Sequence, residues 1–155
     1  FENNNKAFLR HVTVNAIVIK NDQILLGKRG TLNGKPISES GKWDLLGGFF
    51  NHKENLAQAV TREVMEESGW EINNLKLFRI NDNPNRPHED RQNVDIIFIA
   101  NAVKQTGKSD EEVSHLQWFD LDKLPVKEEV AFDHRDAVEL YKKYLKERFP
   151  LPVLG

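Results

Sequence analysis

The sequence predicts a single α/β (α+β) domain, and three observations carry that reading. Runs rich in valine and isoleucine recur along the chain, the strongest being residues 93–103, NVDIIFIANAV, as expected of buried strands. Residues 56–68 contain neither Gly nor Pro and lie between Asn55, a good N-cap, and Gly69, which suits the left-handed position just past a helix end. A second stretch, residues 135–149, sets Ala137, Leu140, Tyr141, Tyr144 and Leu145 on one side, the pattern of a helix packed on a core. At 155 residues the chain has room for one core and no second domain.

Composition narrows the function classes. The chain is 39% hydrophobic and 30% charged with a formal net charge of −2, so it has no global attraction for nucleic acid, and no basic stripe interleaves with aromatics. No apolar run approaches the ~20 residues of a membrane span, and the first residues, FENNNK, lack the apolar centre of a signal peptide. These features point to a cytoplasmic protein with no nucleic-acid partner and no membrane partner. With no cysteine, thiolate metal sites, disulfides and a cysteine nucleophile are excluded.

In chain order, residues 11–20 (HVTVNAIVIK) and 23–29 (QILLGKR) read as two strands turned by Asn21-Asp22, with Lys28 and Arg29 at the end of the second, where cations could face phosphate. Residues 31–42 (TLNGKPISESGK) read as a loop, and residues 43–50 (WDLLGGFF) lead toward the first helix, with Gly47-Gly48 letting the backbone approach a neighbour closely. On that helix Leu56, Ala57, Val60 and Val64 form the stripe expected to pack on the sheet. Residues 75–81 read as a strand and residues 83–92 (NPNRPHEDRQ) as a polar turn whose Arg86 and Arg91 could reach a diphosphate or a terminal ribose, a guanidinium matching phosphate oxygens in pairs. After the central strand, residues 105–112 form a loop ending in SDEE, and residues 113–121 a last strand. Asp133 is placed as N-cap of the closing helix, and Phe132 beside it either stacks on a base or staples the helix to the core. The five histidines show no ligand spacing and none is assigned to a metal.

The chemistry concentrates in residues 48–70, GFFNHKENLAQAVTREVMEESGW. On the helix Glu63, Glu66 and Glu67 fall within an arc of about 100°. Such a face repels itself, and a hard divalent cation, Mg²⁺ or Mn²⁺, would relieve the repulsion, since these ions take oxygen ligands and sit between carboxylates and substrate phosphates.

The same stretch resembles the Nudix box, the signature of a family that hydrolyses a nucleoside diphosphate linked to another moiety. Gly48, Glu54, Arg62, Glu63, Val64, Glu66, Glu67, Gly69 and Trp70 meet every position of that signature. With each residue type at roughly one in twenty, seven fixed identities match by chance on the order of 10⁻⁹ per starting position. The chain departs from many family members at Leu46, where Pro is common, and at Lys53, where Gly is common.

The resemblance implies an α/β/α sandwich with a mixed central β-sheet and a Mg²⁺ or Mn²⁺ site formed by Glu63, Glu66 and Glu67, completed by Glu54 and the backbone of Gly48. It implies a salt bridge from Arg62 that steadies the catalytic glutamate. The general base is Glu67 or, in second place, Glu112, which stands six residues before Trp118 as a loop acid does in some members. Pro84, fifteen residues past Gly69, resembles the ADP-ribose branch, and so do the segments WDLxGGF and FDH. The implied substrate is a small nucleoside diphosphate derivative, first ADP-ribose or a nucleotide sugar, contacted by Arg29, Arg86, Arg91 and Phe132. A triphosphate pyrophosphohydrolase and a non-catalytic nucleotide sensor are the alternatives, and a homodimer is one state the resemblance allows.

Overall fold

The computed structural model describes residues 10–88 and 92–155. One eight-stranded sheet runs through the molecule, and a helix lies on each of its faces. Strand β1 (Val12–Lys20) runs parallel to β8 (Val94–Gln105), and β8 runs antiparallel to β7 (Trp70–Asn81). The expected central position of the strand containing residues 93–103 is thus observed, in a mixed sheet. The outer edge beyond β7 is a two-residue strand, β10 (Val153–Leu154), that pairs with it in parallel.

The other half of the sheet positions the site. Strands β1 and β2 (Gln23–Arg29) pair only through Val18, Ile19 and Lys20 and then diverge. The chain at 43–49 fills the fork. Its first part, β5 (Trp43–Asp44), pairs with β2, and its second, β6 (Leu46–Phe49), pairs with β1 so that Gly47 faces Asn15 and Gly48 faces Val14. On the far side of β2 lies β9 (Val113–Asp120). Between β2 and β5, where a loop was expected, Thr31–Leu32 (β3) and Lys35–Pro36 (β4) form a small hairpin. The Glu111 carboxylate ties it down by accepting from the Asn33 N–H at 2.7 Å and the Gly34 N–H at 3.3 Å.

Alternation along β1 divides the core in two. Val14, Ala16 and Val18 meet Ala59, Val60 and Val64 of helix α1 (Leu56–Ser68), while Ile17 meets Ala137, Val138, Tyr141 and Tyr144 of helix α2 (His134–Glu147). These opposed layers make the expected α/β/α sandwich. Within α1 the packed stripe is shifted from the expectation, because Ala57 is exposed and Ala59 is buried.

Helix α1 is framed as its sequence predicts. Asn55 and Gln58 form a reciprocal capping box at 2.9 Å in both directions, and Gly69 adopts φ 70°. A Cβ on Gly69 would lie 2.1 Å from the backbone of Gly107, so the position demands glycine for space as well as for its dihedral. Lys53 sits at φ 67°, a left-handed turn adopted at the steric cost of a side chain. Asp133 stands at the N-cap of α2 as expected, but its side chain makes no capping hydrogen bond, because its carboxylate is engaged by Arg86 and Asn81.

Candidate active site

The fork strand brings Gly47 and Gly48 against the acidic face of α1, and this contact creates the site. A Cβ on Gly48 would stand 2.6 Å from a Glu63 carboxylate oxygen, so any side chain there would push that carboxylate aside. The Gly47 N–H donates to Glu67 Oε2 at 2.8 Å. Glu67 is 9% exposed. Burial pushes its pKa well above the ordinary carboxylate value, the Gly47 N–H opposes that shift, and the charges of Asp44, Glu63 and Asp110 reinforce it.

Arg62 is the brace of the cluster. Its Nε and Nη2 hold the two oxygens of Glu54 at 2.5 and 3.0 Å, its Nη1 reaches Glu63 at 2.7 Å and Glu66 at 3.0 Å, and Nη2 also donates to the Phe49 carbonyl at 3.2 Å. The loop before α1 and the acidic face are thereby locked together. The expected steadying of Glu67 by Arg62 takes another form, because the backbone of Gly47 holds Glu67 while Arg62 holds its neighbours. The Glu54 pKa is lowered, chiefly by its hydrogen bond with Arg62. That of Glu63 is raised, as burial outweighs Arg62.

The loop at 105–112 closes the opposite wall. The Asp110 N–H donates to the Glu66 carbonyl at 3.1 Å, which seats the loop on α1. Burial, then neighbouring acids, raise the pKa values of Asp110 and Glu112, with the Arg29 charge opposing the shift at Glu112. Both general-base candidates, Glu67 and Glu112, therefore belong to one electrostatic cluster. Asp110 was not singled out in the sequence; only its place beside Glu112 marks it.

The donor set, carboxylates and backbone carbonyls, fits a hard divalent cation. Two observations bear on the fit. The acids outnumber the one guanidinium that braces them, and four of them, Glu63, Glu67, Asp110 and Glu112, are raised in pKa. Yet among the described residues no three such side chains converge closely enough to hold an ion as they stand, and Arg62 takes the oxygens of Glu54, Glu63 and Glu66. An ion would compete with Arg62 for Glu63 and Glu66, and least for Glu67.

A second polar cluster lies on the other side of the fork. The His134 imidazole sits between Asp44, contacted through Nδ1, and Asp95, 3.0 Å from Nε2. Asp95 also accepts from Asn15 at 2.7 Å and Thr13 at 3.0 Å. Burial would lower the His134 pKa, but the charge and hydrogen bond of Asp44, with those of Asp95, raise it to about 10, so the ring is an imidazolium at neutral pH. Arg86, expected to be an exposed cation on a polar turn, is buried instead: its side chain is 2% exposed and paired with Asp133 at 2.8 Å. Arg29 pairs with Asp44 at 2.7 Å and donates to the Ser38 carbonyl at 2.6 Å, with the Phe132 ring 5.1 Å from its guanidinium carbon. Arg91 lies outside the described residues.

With this geometry in view, comparisons with known proteins are specific. The family model of the NUDIX domain matches residues 9–141. An ADP-ribose pyrophosphatase of Methanocaldococcus jannaschii is 30% identical over 133 residues, which cover 86% of this chain and 73% of that protein. The NAD-capped RNA hydrolase NudC of Vibrio atlanticus is 30% identical over 124 residues, covering 79% of this chain but only 42% of the relative. Among solved structures, a NUDIX hydrolase from Nitrosomonas europaea superposes with a TM-score of 0.71 at 24% identity, covering 96% of this chain and 82% of that one, which is a likeness of fold.

Proposed function

From the premise that the chain belongs to the Nudix hydrolase family, and is therefore a hydrolase of phosphoanhydride bonds, we propose that its substrate is ADP-ribose or a related nucleotide sugar. One observation carries the reading. The acidic face of α1 is intact, braced by Arg62 and walled by a loop that brings Asp110 and Glu112 to it. The names of both sequence relatives support the substrate class, because ADP-ribose and NAD each join two ribosyl units through a diphosphate. The chain spans only 42% of the length of NudC, and its net charge of −2 favours a small molecule.

Nudix hydrolases in general need divalent metal ions. For this chain we assign Mg²⁺ or Mn²⁺ to Glu63, Glu66 and Glu67 with the Gly48 carbonyl. Such an ion supplies charge neutralisation on the phosphate oxygens and acidifies bound water. The chain's own groups do the rest. Glu67, buried and raised in pKa, accepts a proton from the attacking water, with Glu112 as the second candidate. The water oxygen bonds to phosphorus, the bridging P–O bond breaks, and the leaving phosphate keeps that electron pair. Glu54 acts through Arg62: both its oxygens are committed to the guanidinium, which makes it a positioning residue.

The experiment is product analysis on a panel of ADP-ribose, NAD, nucleotide sugars and triphosphates, with and without Mg²⁺. ADP-ribose is expected to yield AMP and ribose 5-phosphate. Pyrophosphate release from triphosphates alone would move the protein to nucleotide sanitation, and tight binding without turnover would make it a sensor. Sedimentation at assay concentration tests the homodimer.

A further inference from the structure

The buried ion cluster on the far side of the fork supplies neither the metal ligands nor the general base assigned above, and reaches the acidic cluster only through the charges of Asp44 and Arg29. Its six groups, Arg29, Arg86 and His134 against Asp44, Asp95 and Asp133, cancel in formal charge. Asp95 is 0% and His134 4% exposed. Such buried pairs contribute little net stability compared with well-packed apolar side chains, so the cluster calls for another role, and the chain between its members indicates one. Phe132, next to Asp133, adopts φ 51°, a left-handed conformation that is an outlier for a bulky side chain and persists only where its surroundings over-determine it. Here they do. The Ala131 N–H donates to the Trp43 carbonyl at 2.8 Å, Asp133 is gripped by Arg86 and Asn81, and His134 is pinned between two aspartates.

What this holding displays is a partly exposed ring. The Arg29 guanidinium lies 5.1 Å from its centroid and the His134 ring meets it at 69° in an edge contact, 5.8 Å between centroids. Arg29 is itself fixed by Asp44, and its charge acts on Glu112, which joins this platform to the acidic cluster. An arginine paired with an aromatic ring is a stacking surface for a planar heterocycle.

We infer that Arg29 and Phe132 form the seat of the substrate's nucleobase, and that His134, through Asp44 and the left-handed backbone at Phe132, is the residue that positions it. The inference rests on the proposed diphosphate hydrolysis and deepens it by assigning the end of the substrate that lies away from the reacting phosphorus. His134 is then a positioning residue that touches no reacting atom.

The test compares two ligands that differ only by the base. AMP and ribose 5-phosphate are titrated calorimetrically into the full chain with Mg²⁺ present, separately from the hydrolysis assay. AMP is expected to bind about tenfold tighter or more, the range of one base stacked on an aromatic. Phe132→Leu should bring the two affinities close together, and Phe132→Trp should restore the preference. His134→Gln should reduce it in protein whose circular dichroism is that of the wild type, raising KM for ADP-ribose by a larger factor than it lowers kcat. Should His134→Gln fail to fold, the two Phe132 variants still decide the base seat, and His134→Asn with the same KM and kcat measurements decides the positioning role. A wild type without preference for AMP, or a preference that survives Phe132→Leu, overturns the inference. Hydrolysis of ADP-ribose with no effect of Phe132 on base preference removes the seat and leaves the enzyme. A Phe132-dependent preference without hydrolysis does the reverse.

Discussion

Replacing Glu67 by glutamine should cut catalysis by orders of magnitude while making the metal-free protein more stable. The side chain is 9% exposed, its carboxylate accepts one hydrogen bond, from Gly47 at 2.8 Å, and the charges of Asp44, Glu63 and Asp110 oppose its ionisation. Glutamine keeps an oxygen for the Gly47 N–H and removes the buried charge. Relieving a poorly compensated buried group is worth about 1–3 kcal/mol, and in a chain of this size each kcal/mol moves Tm by about 2–4 °C. The metal-free variant should therefore melt about 2–12 °C higher than wild type. With saturating Mg²⁺ the order should narrow or invert, because an ion at one hundred times its Kd adds about 2.7 kcal/mol to whichever protein binds it. Turnover of ADP-ribose should fall by about 10²–10⁴-fold, the usual worth of a general base. Paired calorimetric melts with EDTA and with Mg²⁺, alongside the kinetics, measure all three. Near-normal turnover would remove Glu67 from the mechanism, and a metal-free variant less stable than wild type would refute the electrostatic account of the site.

Gly48→Ala should lower turnover by about 10²-fold with Tm within about 2 °C, because its Cβ, 2.6 Å from the end of the Glu63 side chain, displaces a flexible carboxylate and not the fold; kinetics with parallel melts check it. Arg62→Lys keeps the charge but loses the two-point grip on Glu54, and a fall in kcat of about tenfold or more is expected in steady-state assays. Gly69→Ala meets both φ 70° and a backbone atom 2.1 Å away, so a loss above about 2 kcal/mol should appear in urea unfolding. His134, raised from 6.5 to about 10 by Asp44 and Asp95, contributes stability that is complete below pH 6.5 and lost as pH rises through about 10. Wild-type Tm should accordingly decline across that interval, and the decline should be shallower in His134→Gln.

What was legible in the sequence was local. The N-cap Asn55, the left-handed Gly69 and the glutamate face of α1 each rest on residues within a few positions of one another, and all appear as read, with Gln58 closing a reciprocal box on Asn55. The buried ion cluster rests on pairs far apart in sequence, His134 with Asp44 at a separation of 90 and Arg86 with Asp133 at 47. No local pattern announces such pairing. Arg86 reads as a solvent-facing cation because its neighbours, NPN-R-PHED, are polar, and only the fold supplies the aspartate that buries it. Asp95 did carry a signal, as a lone acid inside the apolar run NVDIIFIA: a charge at a core position of a central strand requires a partner. The same logic applies to Asp44 in WDLL. The exchange of Ala57 for Ala59 in the packed stripe follows from how α1 leans on β6, a tertiary choice that periodicity leaves open.

The central claim is that the braced acidic face of α1 hydrolyses a diphosphate joining a nucleoside to a second group. Phosphorus NMR of ADP-ribose incubated with the protein and Mg²⁺ in ¹⁸O-labelled water tests it most directly. The account predicts AMP and ribose 5-phosphate in equal amounts, one of them carrying a single ¹⁸O on phosphorus, and no reaction in EDTA. An unchanged diphosphate signal for ADP-ribose, NAD and nucleotide sugars alike would contradict it.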